Sequence, residues 1–139
     1  MTKVKKVSFL TAQRMEEGTL QTLVGQVRSG LPTETVDAFI AYTKLDKAHV
    51  LDVMGISQRT LERKSESKLS PEQSDRLARI KRIYDFATEM IGDEEHARGW
   101  LQDQNRALAG AIPLDLLDTD AGTQLVEAVL IRISDGIFS

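Results

Sequence analysis

The sequence predicts an all-α protein, and three features indicate it. Along most of the chain, apolar residues recur three and four positions apart, which is the spacing of one helix face. No segment alternates apolar and polar residues for long enough to form a half-buried strand. Aromatic residues make up only 5% of the 139 residues, so aliphatic side chains must fill the core, as they do in helical bundles. We expect a helical region over 1–69, then a linker helix and a small helical domain over 70–139.

The first region is predicted to hold two helices behind a flexible arm. Residues 1–17 are polar and show no periodicity, which is typical of such an arm. A first helix is predicted to end at Ser29-Gly30. It is indicated by four apolar residues at helical spacing, Leu20, Leu23, Val24 and Val27. Pro32 is expected to open a second helix with three apolar residues on one face, namely Val36, Phe39 and Ile40.

Residues 47–64, KAHVLDVMGISQRTLERK, predict a helix-turn-helix. Val50 and Met54 lie one turn apart and share the buried face of its first helix. Gly55 follows directly, at a position where a helix end needs a left-handed residue. Ser57 can cap the second helix by accepting a backbone N–H. We therefore expect two short helices joined by a tight corner.

The second helix of this motif is predicted to face DNA. Leu61 is its inner anchor, and the donor-rich side chains around it can reach base edges and phosphates in a major groove. The candidate DNA-binding residues are Ser57, Gln58, Arg59, Thr60, Arg63, Lys64 and Lys68. Of these, Gln58, Arg59 and Thr60 are expected to contact bases, and the last three are expected to contact phosphates. An ordinary helical hairpin with a solvated charged face is the alternative.

The charges are divided unevenly between the two regions. Residues 1–69 carry 11 Lys and Arg against 8 Asp and Glu, a balance of +3. Residues 70–139 carry 7 against 13, a balance of −6, and the two sum to the net −3 of the chain. A basic region suits DNA because neutralised phosphates release counterions. DNA would repel the acidic region, which should face another partner, although solvated helices also acquire such imbalance by chance.

The second region opens with a strong helix start. Ser70 can cap this helix, Pro71 suits its first position, and Gln73 can return the capping-box hydrogen bond. The helix is expected to run to about Ile91 and to end at Gly92. Three further segments follow: a short helix capped by Asp93 that carries Trp100, an apolar segment around Pro113, and a last helix capped by Thr119 or Asp120. That last helix has a broad apolar stripe, made of Leu125, Val126, Val129, Leu130 and Ile133.

The residues that carry catalysis or bind cofactors are missing from the sequence. The chain has no cysteine, which excludes disulfides and thiolate chemistry. His49 and His96 lie on different predicted helices without ligands at metal-binding spacing, and the acidic run 93–95 is what a helix start favours. We find no phosphate-binding glycine loop and no nucleophile motif. We therefore expect no catalytic residue, no metal and no cofactor. No apolar run approaches membrane-spanning length, and a cytoplasmic location is expected.

An ordered set of motifs resembles a known family. SQRTLERK at 57–64 is followed by LSPEQSDRLARI at 69–80 and by Trp100-Leu101. The set continues with ALAG at 107–110, PLDLL at 113–117, and Gly122 ahead of the closing helix. Together these motifs are similar to those of the Xre/MbcA/ParS-like antitoxins, and they cover the chain from about Val50 to Gly136. One position departs from the usual helix-turn-helix pattern, because Leu51 stands four residues before Gly55, where small residues are commoner.

The resemblance implies a type II antitoxin with two parts, an Xre-like helix-turn-helix region and a C-terminal toxin-binding domain. The usual partner of such antitoxins is a RES-domain toxin that depletes NAD⁺. The antitoxin inactivates the toxin and, together with it, represses the shared operon by binding operator DNA. Helix-turn-helix readers present two copies to a pseudo-palindrome, so a homodimer is expected. The apolar stripes of the long helix and the last helix are candidate dimer surfaces.

The predicted toxin-binding residues are Trp100, Leu101, Leu114, Leu117, Ile137, Phe138 and Ser139. The apolar end of the chain suggests a plug that enters the NAD⁺ pocket of the toxin, because fraying termini are normally polar. Alternatively, Ile137 and Phe138 fold back onto the antitoxin's own Val129 and Ile133. Two other functions remain open. The chain could be a stand-alone transcription regulator with a helical dimerisation domain, or an adaptor that has lost DNA binding.

Overall fold

The fold consists of short helices gathered around one long helix. A computed structural model describes residues 17–64 and 67–136, and the arm predicted over 1–17 lies outside this part except for Glu17. The α-helices are α1 Glu17–Ser29, α2 Glu34–Thr43, α3 Lys47–Met54, α4 Gln58–Arg63, α5 Pro71–Ile91, α6 Glu94–Gln102 and α7 Asp120–Ser134. Two 3-10 helices, Arg106–Leu108 and Pro113–Asp118, connect α6 to α7. The described residues contain no strand, which confirms the predicted all-α class.

The long helix α5 is the central element of the fold. It packs against α1, α2, α3, α6, α7 and the second 3-10 helix. Its start is a complete capping box, in which the Ser70 hydroxyl accepts from the Gln73 N–H and the Gln73 side chain accepts from the Ser70 N–H. Its end is Gly92, whose φ of 113° is left-handed. Both ends confirm the sequence prediction.

A single apolar cluster runs through both predicted regions. Phe39 and Val50 from the first region belong to it, as do Leu77, Leu114 and Val126 from the second, and each of the five is completely buried. The helix-turn-helix region and the C-terminal helices therefore pack directly against each other. None of the helices in the described residues combines the length and apolar character needed to cross a lipid bilayer.

The chain before α2 pairs with the chain after α4. Pro32 does not open α2 as predicted, because it forms an isolated antiparallel bridge with Lys68, and α2 begins at Glu34. The Leu69 N–H donates to the Leu31 carbonyl at 2.8 Å. Gly30 has a φ of 92°, and a Cβ there would lie 2.2 Å from the Leu69 carbonyl oxygen. Only glycine allows the segment at Leu69 to lie this close to residue 30. The contact holds the chain that follows α4 against the chain that precedes α2.

Candidate nucleic-acid interface and partner-binding surface

The predicted helix-turn-helix is present as α3, a corner at 55–57, and α4. Gly55 has a φ of 78°, and its N–H donates to the Leu51 carbonyl at 2.9 Å. Ile56 is buried beneath the corner. Ser57 caps α4 by accepting the Thr60 N–H at 3.0 Å. Leu51 is also buried, so the core accommodates the larger side chain that departs from the usual pattern.

The geometry of α4 directs two arginines straight out from the protein. Successive residues of a helix are turned by about 100°, so positions 59 and 63 lie opposite position 61. Leu61 is buried and marks the inner side, while Arg59 and Arg63 are exposed. Gln58 and Glu62 flank the arginines on one side and are joined by a 3.0 Å hydrogen bond. Arg59 and Arg63 are therefore the foremost side chains of this surface.

The other candidate DNA-binding residues differ in how freely they can reach a ligand. Ser57 and Thr60 hydrogen-bond each other through their hydroxyls at 2.9 Å, so both side chains take part in capping α4. Lys64 is half-buried at the end of α4, and Lys68 is exposed on the bridged segment that follows. Within 17–64 and 67–136, no ion pair neutralises Arg59, Arg63 or Lys68. These three cations are available for phosphate or base contacts.

Arg76 on α5 contacts the corner of the helix-turn-helix. Its guanidinium donates to the Val53 carbonyl at 3.3 Å, close to the end of α3. A Cβ on Gly55 would lie 3.0 Å from the same guanidinium. The sequence did not indicate the contact with Val53, because it joins residues 23 positions apart. Arg76 thus positions the motif rather than extending its outer surface.

Polar contacts join the helix-turn-helix region to the C-terminal helices. His49 on α3 pairs with the Asp115 carboxylate on the second 3-10 helix. The Asp46 N–H, at the start of α3, donates to the Gln102 side chain at 2.8 Å. Arg98 Nε donates to the Thr43 carbonyl at 2.9 Å. The sequence did not predict these contacts, because each one spans more than fifty residues and none has a local signal.

Three of the predicted toxin-binding residues belong to the protein's own core. Leu101 is 1% exposed, and Leu114 and Leu117 are 0% exposed. They pack in the central cluster. The expectation that they contact a partner directly is therefore wrong in this fold, where they pack beneath the surface and hold its elements in place. Trp100 is half-buried on α6 and keeps part of its surface accessible. The predicted residues 137–139 lie outside the described part of the chain.

The exposed apolar surface of the C-terminal helices lies instead on α7. Leu125 is 57% exposed and Ile131 is 49% exposed, and we call this surface the α7 outer face. The sequence placed Leu125 in one broad apolar stripe with Val126, Val129 and Leu130, and the structure buries the other three but leaves Leu125 exposed. On a helical projection Leu125 lies about 90° from the centre of that side, at its edge, whereas Ile131 lies on the far side. The exposure of Leu125 therefore depends on how the fold packs around α7.

The acidic run at the start of α6 is a helix cap. The Asp93 carboxylate accepts the His96 N–H at 2.8 Å and also pairs with the His96 ring. The hydrogen bond from the His96 N–H is the main reason that the pKa of the Asp93 carboxyl is lowered. In 17–64 and 67–136, no group of three or more His, Asp or Glu residues is arranged to hold a metal ion.

A helix-turn-helix with two outward arginines, packed against helices with an exposed apolar face, defines a protein that combines a DNA-reading part with a partner-binding part. The family model for the antitoxin Xre-like helix-turn-helix domain matches residues 22–82. The model for the antitoxin Xre/MbcA/ParS C-terminal toxin-binding domain matches residues 86–136. The two matches meet inside α5. The chain belongs to the Xre family of antitoxins, as its ordered motifs predicted.

Similar proteins cover most of the chain. It is 30% identical to the antitoxin Xre of Yersinia enterocolitica over 120 residues, which are 84% of this chain and 81% of that protein. It is 31% identical to the antitoxin Xre of Photorhabdus laumondii, over 81% of this chain and 78% of that protein. A "Prs ADP-ribosylating antitoxin" of Sphingobium sp. is 26% identical over 84% of this chain and 80% of that protein. The relatives thus carry more than one kind of antitoxin name.

Proposed function

We propose that this Xre-family antitoxin neutralises a RES-domain toxin that depletes NAD⁺, and that it represses its own operon through α4. The observation that carries the proposal is the pairing of two surfaces in one rigidly packed chain. One is the outward pair Arg59 and Arg63, and the other is the α7 outer face on the matched toxin-binding domain. The experiment must also determine which reaction the toxin catalyses, because one relative is named for Prs ADP-ribosylation.

The proposal is tested by co-expression with the product of the neighbouring reading frame. We expect that product alone to arrest growth and lower cellular NAD⁺, and the pair to grow normally and to co-purify. ADP-ribosylation of Prs is measured in parallel. If Prs is modified while the NAD⁺ level stays unchanged, the toxin is an ADP-ribosylating enzyme rather than a RES-domain toxin that depletes NAD⁺. A harmless neighbour that does not co-purify would favour the stand-alone transcription regulator.

We assign the toxin contact to the α7 outer face together with the accessible part of Trp100. Leu101, Leu114 and Leu117 would then hold these elements in place from the core. Replacing Leu125 and Ile131 together by glutamate should abolish co-purification, because each apolar side chain buried in an interface contributes about 1.5–3 kcal/mol. The antitoxin itself should melt unchanged, since both side chains are exposed. The matched control is Gln21→Glu with Val24→Glu, which introduces glutamates at two exposed positions of α1 outside the groove lining.

The tail at 137–139 is proposed as a plug in the NAD⁺ pocket of the toxin. Deleting these three residues should leave the antitoxin stable and able to bind the toxin, while NAD⁺ falls in co-expressing cells. Melting temperature, co-purification and NAD⁺ level are the three measurements. Full protection by the shortened chain would contradict the plug. Early melting would instead assign the tail to the antitoxin core, beside the half-buried Ile133, which lies four residues before Ile137.

We also expect a homodimer, because a helix-turn-helix reader uses two copies on a pseudo-palindromic operator. The apolar stripe of α5 is not available for it, since Leu77 and Ile83 are completely buried within the chain. Light scattering at micromolar concentration, without toxin or DNA, should give twice the 15.5 kDa mass, and a monomer would contradict the expectation.

A further inference from the structure

An open groove lies between α1, α5 and α7, and none of its lining residues belongs to α3 or α4. Its volume is about 610 Å³, and Leu20, Leu23 and Phe86 supply its apolar lining. Leu20 is 47% exposed, while Leu23 and Phe86 are half-buried. Apolar side chains grouped along one groove mark a surface that is completed by another chain segment. We call this surface the α1 groove.

The charges around the α1 groove are predominantly negative. Five carboxylates line it, from Asp75, Asp85, Glu89, Asp120 and Glu127. Three cations, Arg79, Lys81 and Arg82, bring the lining to a net charge of −2. Each of these cations pairs with a groove carboxylate, Arg79 with Asp75, Lys81 with Asp85, and Arg82 with Glu127. The groove therefore suits an occupant that is apolar and carries excess positive charge.

We propose that residues 1–16 of this chain occupy the α1 groove. This segment carries four basic residues, Lys3, Lys5, Lys6 and Arg14, against the single acid Glu16, a balance of +3. It also carries six larger apolar side chains, Met1, Val4, Val7, Phe9, Leu10 and Met15. The sign of its charge is opposite to that of the groove, and its apolar residues match the groove lining. The segment therefore matches the α1 groove in both its charge and its apolar residues.

The place where the segment joins the fold supports the same occupant. Helix α1 begins at Glu17, and Leu20 lines the groove within the first turn. The segment therefore starts at the rim of the groove. Along α5 the lining runs from Asp75 to Glu89, which is about 21 Å at the rise of a helix. Sixteen residues span about 24 Å as a helix and about 50 Å when extended, so either conformation is long enough.

The covalent connection favours this segment over a toxin or a second copy. A segment tethered next to its site acts at an effective concentration in the millimolar range, so it occupies the groove even with weak intrinsic affinity. An untethered partner at micromolar concentration must bind far more tightly to displace it. Docking of this segment would also cover Leu20 and hold α1 against α5.

The test uses the full chain and its lack of cysteine. A nitroxide is attached at Thr11→Cys, beside the apolar residues of the segment but without replacing them. We expect loss of the backbone amide NMR signals of Ala78, Arg82 and Phe86, and intact signals over α4. The matched control adds Lys3→Glu, Lys5→Glu and Lys6→Glu to the labelled chain, and the lost signals should then return. Added salt should return them partly, because it screens the attraction.

Two results would overturn the proposal. Groove signals that stay intact in the labelled wild-type background would mean that residues 1–16 do not occupy the groove. A mixed sample, in which isotope-labelled chains without nitroxide meet spin-labelled chains without isotope, detects contact between copies. Loss of groove signals in that sample, of the same size as in the single-chain experiment, would mean that a second copy supplies the occupant. Unaffected groove signals there support docking within one chain.

Discussion

Replacing Gly122 by alanine is expected to destabilise the protein severely. Gly122 lies in the first turn of α7, where its N–H donates to the capping Thr119 hydroxyl at 3.0 Å. A Cβ there would lie 2.1 Å from the Leu116 carbonyl oxygen, a backbone atom of the second 3-10 helix. Because backbone cannot rotate away as a side chain does, the 3-10 helix must separate from α7. That movement would open the core around Leu114 and Leu117.

The expected loss is more than about 4 kcal/mol, in the range that single substitutions reach only by core disruption. For a chain of this size the melting temperature should then fall by at least about 10 °C. Thermal unfolding followed by circular dichroism measures it. Gly99→Ala is the matched control, because Gly99 lies in α6 with nothing within 4 Å of the added Cβ. It should stabilise the protein by about 0.5–1 kcal/mol, the gain of alanine over glycine in a helix.

The comparison of the two glycines also explains a sequence motif. Gly122 is part of the ordered set that resembles the family, and the close approach of Leu116 gives a physical reason for a glycine at that place. If Gly122→Ala melts within a degree or two of the unchanged protein, the 3-10 helix can move without cost, and that reason fails. The helical pattern alone gave no physical reason to treat Gly122 differently from Gly99, because it does not show which backbone lies beside each glycine.

Features that depend on local contacts were predictable from the sequence. The capping box of α5 joins Ser70 to Gln73, and the corner of the helix-turn-helix depends on Gly55 and Ser57. Each of these contacts spans at most four residues, so the residue types and their spacing carry the information. The course of the helices from α3 to α7 followed from such signals together with the apolar periodicity.

Features that depend on packing between distant segments were not predictable. The sequence indicated that Leu101, Leu114 and Leu125 are apolar, but it did not indicate which of them the fold buries. The pairing of His49 with Asp115 joins residues 66 positions apart. The α1 groove needs three helices in their final places before its lining exists. A single sequence has no signal for such relative placement, and the partner surfaces therefore had to be reassigned from the structure.

Changing Arg59 and Arg63 together to alanine is expected to abolish tight binding to the upstream operator. Both side chains lie opposite the buried Leu61 and are exposed, so they lead the approach of α4 to DNA. A base-contacting arginine contributes about 1–3 kcal/mol of discrimination, which is about 5-fold to 150-fold in affinity. The salt dependence should also weaken, because each lost phosphate contact lowers the slope of log K against log salt by about 0.9.

Fluorescence anisotropy with labelled upstream DNA at several salt concentrations measures both quantities. The melting temperature should stay unchanged, since neither arginine packs in the core or pairs with a carboxylate among the described residues. Arg106→Ala with Arg132→Ala is the matched control, because it removes the same charge from exposed positions of the toxin-binding half. That control should bind DNA almost as well as the unchanged protein. Equal losses in both pairs would indicate a general effect of net charge, and unchanged affinity in the Arg59 and Arg63 pair would remove α4 from the DNA interface.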